Sequence, residues 1–210
     1  MNETDEFLEK LGIKPASSDF NDFIRKTKEK AERSRPGSDQ RLVDSLRTFN
    51  NEIATKIDLV YYPCCGLDIS PSVAFPESKV VYVDSDRMTI NKLILAGYEA
   101  HNASALEYQL KQKADIVLIV NPTDIDLNNI CQQAGGNGFV LCNNYHATAT
   151  AMASNEDYEL TGYLDWSEEE SKYVEDRKEA LEEMRSKRDV DILFVFRRKA
   201  DAEGFDRISQ

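Results

Sequence analysis

Two adjacent cysteines stand in front of a glycine in YYPCCGLDIS, Tyr61 to Ser70, where an apolar run gives way to a loop. Thiols invite a metal or redox reading, and Cys64, Cys65, Cys131 and Cys142 have only His101 and His146 to complete a set of soft ligands. None of them has Cys-x-x-Cys spacing, and successive side chains of an extended segment point to opposite sides, so one ion would not collect both sulfurs of the pair. No metal site is expected. A second chemistry suits the same residues better. Pro63-Cys64-Cys65-Gly66 joins small side chains to a glycine, as a loop requires where its backbone closes on a ligand. Asp84, at the end of KVVYVD, follows Gly66 by 18 residues. That is near the roughly 20 at which an acidic residue meets the ribose of a bound nucleotide. A carboxylate there suits two vicinal hydroxyls and repels a 2′-phosphate, so an adenosine-type ligand fits better than NADP. Only one glycine of the dinucleotide fingerprint is present, and a plain strand-to-loop turn is the alternative reading. Asp86 reads as the cap of the helix that follows.

A second set of polar residues follows two later apolar runs. Asn121-Pro122-Thr123 closes ADIVLIVNPT, and Asn143, Asn144, Tyr145 and His146 follow FVLC. These are the candidates for the substrate side, with His146 as a possible base. The competing reading of Asn-Pro-Thr is structural: Asn-Pro ends a strand and Thr123 caps a helix.

The elements that must position these groups have a legible order. Residues 2–56 carry helical stripes: Phe7, Leu8 and Leu11, then Phe20, Phe23 and Ile24, then, after the breaker RPGSD, Leu42, Leu46, Phe49 and Ile53. IDLVYY (57–62) and KVVYVD (79–84) are β-branched and aromatic without alternation, as expected of parallel strands buried on both faces. A helix ending at Gly97, a short strand in EAHNASA and a long one in ADIVLIVNPT follow. TDIDLNNICQQAGGNG is expected to form a helix capped by Thr123 and closed by a glycine turn at Gly135, Gly136 and Gly138, leading into the strand FVLCNN. Repeated strand–helix alternation predicts a doubly wound α/β sheet with right-handed crossovers. The last third departs from it: a strand at 158–164, one long helix at 165–188 with Trp166, Tyr173, Val174, Leu181 and Met184 on a shared face, and a final strand at 190–199.

The whole chain narrows the partners. Its 210 residues are 41% hydrophobic, enough for one sizeable core, and the net charge of −12 disfavours nucleic acid as a partner. No stretch approaches a membrane span and the acidic start does not resemble a signal peptide, so a cytoplasmic protein is expected. Oligomeric state is left open.

Taken together, these residues resemble the class I S-adenosylmethionine-dependent methyltransferases over roughly 57–199. LVYYPCCGLD is similar to the family's first motif with its glycines reduced to one, VVYVD to its ribose-binding strand end, and GYEAHNASALEY to the end of its third strand. ADIVLIVNPT is similar to the fourth strand, and the closing strand, helix and strand to the family's antiparallel finish. The resemblance implies a Rossmann-like, mostly parallel seven-stranded sheet with an antiparallel last strand. It divides the chain into N-terminal helices (1–56), the methyltransferase-type domain (57–199) and a tail (200–210). It implies S-adenosylmethionine as cofactor, with Pro63, Cys64, Gly66 and Asp68 around the methionine part, Asp84 on the ribose, and Ser104 with Ala105 beside the adenine. The substrate would be a small molecule or a protein. Asn121-Pro122-Thr123 resembles the Asn-Pro-Pro-aromatic motif of amino-group methyltransferases, without its second proline and aromatic, so Asn121, Pro122, Tyr145 and His146 stand as catalytic candidates. Two other functions remain open: a non-catalytic binding module of the same fold, and an NAD-dependent oxidoreductase.

Overall fold

The computed structural model describes residues 35–122, 127–166, 171–185 and 192–199. The expected stripes at Phe7–Leu11 and Phe20–Ile24, the cap Thr123 and the tail 200–210 lie outside the described residues. Everything below belongs to one unit of the chain, Pro36–Gln210.

Eight strands form a single sheet in the order β3-β2-β1-β4-β5-β8-β6-β7. The first five are β1 (Leu59–Pro63), β2 (Lys79–Asp84), β3 (Ala100–Asn102), β4 (Ala114–Ile119) and β5 (Ala134–Cys142), and they pair in parallel. β8 (Ile192–Arg198) runs antiparallel between β5 and β6 (Tyr158–Asp165). The absence of alternation in β1 and β2 has the expected cause, since both faces are covered. Val60, Tyr62, Val80, Tyr82, Ile116 and Leu118 belong to one buried cluster, and Leu59, Tyr61, Val81, Val83, Val117 and Ile119 to the other.

Helix α1 (Gln40–Glu52) begins at Asp39, whose carboxylate accepts from the Arg41 N–H, and it lays Leu42, Leu46 and Phe49 on the first face. Between β1 and β2 lies α2 (Ser70–Ala74), and between β2 and β3 lies α3 (Arg87–Leu95). Asp86 caps α3 by accepting from the Met88 and Thr89 N–H groups, and Gly97 (φ 93°) follows its end, both as expected. The second face is covered by α4 (Leu127–Cys131), α5 (Thr148–Ala153) and α6 (Arg177–Arg185), through Ile130, Met152 and Ala180.

Three expectations are corrected. The sheet has eight strands, because Lys172–Val174 forms an edge strand, β7, antiparallel to β6. Among the described residues of the expected long helix at 165–188, only Arg177–Arg185, α6, is helical. Strand periodicity turns Tyr173 and Val174 to opposite faces, so the shared helical face does not exist: Trp166 and Tyr173 join the first cluster, Val174, Leu181 and Met184 the second. The glycines at 135, 136 and 138 lie inside β5 as a bulge, Ala114 pairing with Ala134 but Ile116 with Phe139. Gly162 is required where β7 approaches β6, since a Cβ there would overlap the Val174 carbonyl.

Candidate functional site

The loops that leave β1, β2 and β3 are stitched together at the carboxyl edge of the sheet, and Asp84 is the knot. The Cys65 N–H reaches the Val83 carbonyl at 3.4 Å, continuing the β1–β2 ladder past Pro63. Cys64 and Gly66 both have φ of 54°, a left-handed backbone that glycine adopts freely and cysteine adopts at a cost of about 1 kcal/mol. This double reversal aims the Gly66 N–H at Asp84, where it donates to Oδ2 at 3.0 Å. The other carboxylate oxygen accepts from the Asp86 N–H at 2.8 Å. Asn102 Nδ2 and the Ala103 N–H both donate to the Asp84 carbonyl, each at 3.1 Å, which fastens the β3 end to the same point. A Cβ added at Gly66 would meet nothing within 4 Å, so the space in front of this loop is open.

None of the four cysteines is in a disulfide, and Cys65 is buried; burial, with Asp84 nearby, pushes its thiol well above the ordinary range. Among the described residues no three His, Cys, Asp or Glu side chains come together in a way that would hold a metal ion.

Asp68 is tied inward. Tyr62 Oη donates to its Oδ2 at 2.9 Å and the Ser70 N–H to its Oδ1 at 2.9 Å. Burial raises its carboxyl pKa, against the lowering effect of the Ser70 and Tyr62 hydrogen bonds. The neighbouring segment joins in, which the breaker pattern RPGSD gave no reason to expect. The Gly37 N–H donates to the Leu67 carbonyl (3.0 Å), the Ile69 N–H to the Gly37 carbonyl (2.9 Å), and the Asp39 N–H to Ser70 Oγ (2.9 Å). Ser104 opens a single turn, its carbonyl accepting from the Glu107 and Tyr108 N–H groups, and Ala105 is buried beneath it.

The second candidate set gathers where β4 and β5 end. Asn121 (φ 48°) is exposed and Pro122 buried. The Asn121 N–H donates to Asn143 Oδ1 at 3.2 Å, and Asn143 Nδ2 to Asn121 Oδ1 at 2.6 Å. Tyr145 and His146 follow in a short turn, Tyr145–Ala147, leading to α5. Gly66 and Asp84 are thus in direct contact, as are Asn121 and Asn143, and Asp68 is held by its own loop. Tyr61, which the sequence reading passed over, is fully buried with a hydroxyl that has no hydrogen-bond partner, its ring stacked 6.0 Å from that of Tyr108.

A mostly parallel sheet with one reversed strand between β5 and β6 is the fold of Rossmann-like methyltransferase domains. Among solved structures the chain is similar to the N-methyltransferase NodS from Bradyrhizobium japonicum WM9 (TM-score 0.52, 9% identity, 76% of this chain and 95% of that one). It is also similar to the plantazolicin methyltransferase BpumL in complex with SAH (0.52, 11%, 76% and 84%) and to StiE O-MT (0.53, 12%, 76% and 74%). No family model and no curated protein matches the sequence.

Proposed function

We propose that the protein is an S-adenosylmethionine-dependent methyltransferase acting on a small molecule or a protein. The observation that carries this reading is the contact between the Gly66 N–H and the Asp84 carboxylate in front of an open space. It lies beside the switch point of the sheet, where β1 is flanked by β2 on one side and β4 on the other. The solved NodS and BpumL complexes with SAH support the choice of ligand.

The residues present fit such a ligand. With one N–H on each oxygen, the Asp84 carboxylate is held in a fixed orientation and keeps lone pairs for two ribose hydroxyls. Gly66 leaves room for close approach of the backbone, Pro63 and Cys64 shape the turn, and Ser104 with Ala105 lie beside the β3 end for the adenine. When bound, the cofactor supplies a methyl carbon activated by a sulfonium. The chain's task is then alignment of donor and acceptor, for which Asn121, Pro122, Tyr145 and His146, which follow β4 and β5 in the chain, are the candidates.

Titration calorimetry with S-adenosylmethionine and S-adenosylhomocysteine tests the reading. Both are expected to bind to the wild type, and neither to Asp84→Ala or Gly66→Val, with near-native circular dichroism in both variants. Absence of binding by the wild type, or unchanged binding in both variants, would refute it. Binding without methyl transfer to any cellular fraction would identify the non-catalytic module instead.

A further inference from the structure

Among the described residues two buried side-chain polar atoms have no hydrogen-bond partner, Tyr61 Oη and His101 Nε2, and both rings pack on Tyr108, with centroids 6.0 and 5.1 Å from it. A buried polar atom of this kind has lost its hydrogen bonds to water without replacing them, which disfavours the folded chain and calls for a cause. His101 has one at hand, since a Glu99 oxygen lies 3.7 Å from Nε2 and forms an ion pair with it when the imidazole is protonated. Tyr61 is wholly buried. Burial pushes its hydroxyl well above the ordinary phenol range, and Cys64, Tyr108 and Cys65 add to the effect, so the group stays protonated and able to donate. The same three residues mark its place. Cys64 and Cys65 belong to the loop that Gly66 closes, and Tyr108 to the turn after β3 that Ser104 opens by accepting from the Tyr108 N–H. The unpaired hydroxyl is thus common ground for the two segments that the proposed function places along the ligand. Its cover includes Cys64, which packs against the buried cluster that contains Tyr61, is only half-buried, and holds a left-handed backbone that costs a cysteine free energy.

We infer that Tyr61 is a binding residue of this site, its hydroxyl donating a hydrogen bond to the S-adenosyl ligand once Cys64 turns aside; this rests on the methyltransferase reading above. The hydroxyl then disfavours the chain on its own and favours the complex, so its removal acts with opposite sign on the two. Neither of the simpler roles has that signature. If the ring served packing alone, loss of the oxygen would leave ligand affinity untouched. If a buried water bridged the hydroxyl to the backbone, the oxygen would already be paired without ligand, and its loss would lower stability.

The test uses the full chain and Tyr61→Phe, which keeps the ring and its stacking on Tyr108 and removes one oxygen. Thermal unfolding followed by circular dichroism reads stability, and titration calorimetry with S-adenosylhomocysteine reads affinity. Without ligand, Tyr61→Phe should melt about 2–4 °C above wild type. Its affinity for S-adenosylhomocysteine should nevertheless fall about fivefold or more. An affinity equal to wild type overturns the inference, because the hydroxyl then takes no part in binding. A melting temperature without ligand that fails to rise overturns it too, because the hydroxyl is then already paired. In both cases binding by the wild type leaves the methyltransferase reading standing. A wild type that binds no S-adenosylhomocysteine overturns that reading and this inference together.

Discussion

Asp68 shows how one side chain can look like part of a ligand loop and serve the loop itself. Its carboxylate is buried against Tyr62 and Ser70, and burial holds its pKa above the ordinary value of 3.8. A folded-state pKa above the unfolded one means that the folded protein takes up this proton more readily. The group therefore costs nothing below the unfolded pKa, and its cost grows as pH rises through the folded value and then stays constant. Asp68→Asn should remove that cost, so its melting temperature relative to wild type should climb as pH rises above about 4 and then level off. An offset that does not vary with pH would show that Asp68 carries no such penalty. The observed Gly66–Asp84 contact joins two residues that spacing alone had singled out in the sequence. The roles of Asp68 and Asn143 were not legible there, because they depend on which way side chains point across strands 22 residues apart for Asn121 and Asn143.

Among the elements, those with a continuous apolar signal were readable and those set by their neighbours were not. Lys79–Asp84 is a strand at the expected residues, since four consecutive positions, Val80 to Val83, are apolar and both faces are covered. β7 has three residues and forms because β6 offers an edge, a tertiary cause that leaves no local period. The acidic, helix-favouring composition around it gave the opposite expectation. Gly162 is the point where the two strands fit together, and Gly162→Ala should cost about 2 kcal/mol or more, read as a lower urea midpoint with an unchanged slope. Stability equal to wild type would mean that β7 can leave the edge without loss. Phe49 shares in this arrangement, meeting Phe139 edge-on at 5.2 Å and Tyr173 at 5.6 Å, so α1 and β7 pack on the same part of the first face.

For the molecule as a whole, the composition set broad bounds and the sheet order set the site. Among the described residues no helix is long and apolar enough to cross a membrane. The doubly wound arrangement was legible because buried strands and amphipathic helices alternate through the middle of the chain. The route taken by Pro36–Asp39 was not, because proline, glycine and serine announce a break without saying where the chain then lies. That route has a consequence for how the protein responds to a ligand. Four hydrogen bonds join Gly37 and Asp39 to Leu67, Ile69 and Ser70, so order in this crossing and order in the loop of Gly66 share one free energy. Amide hydrogen exchange should then slow at Gly37 and Ile69 when S-adenosylhomocysteine is added, although neither is a proposed ligand contact, and equal exchange with and without it would break the link. By reciprocity, a substitution that weakens these bonds, such as Ser70→Ala, would be felt as weaker affinity, so this crossing would act as a handle on the site.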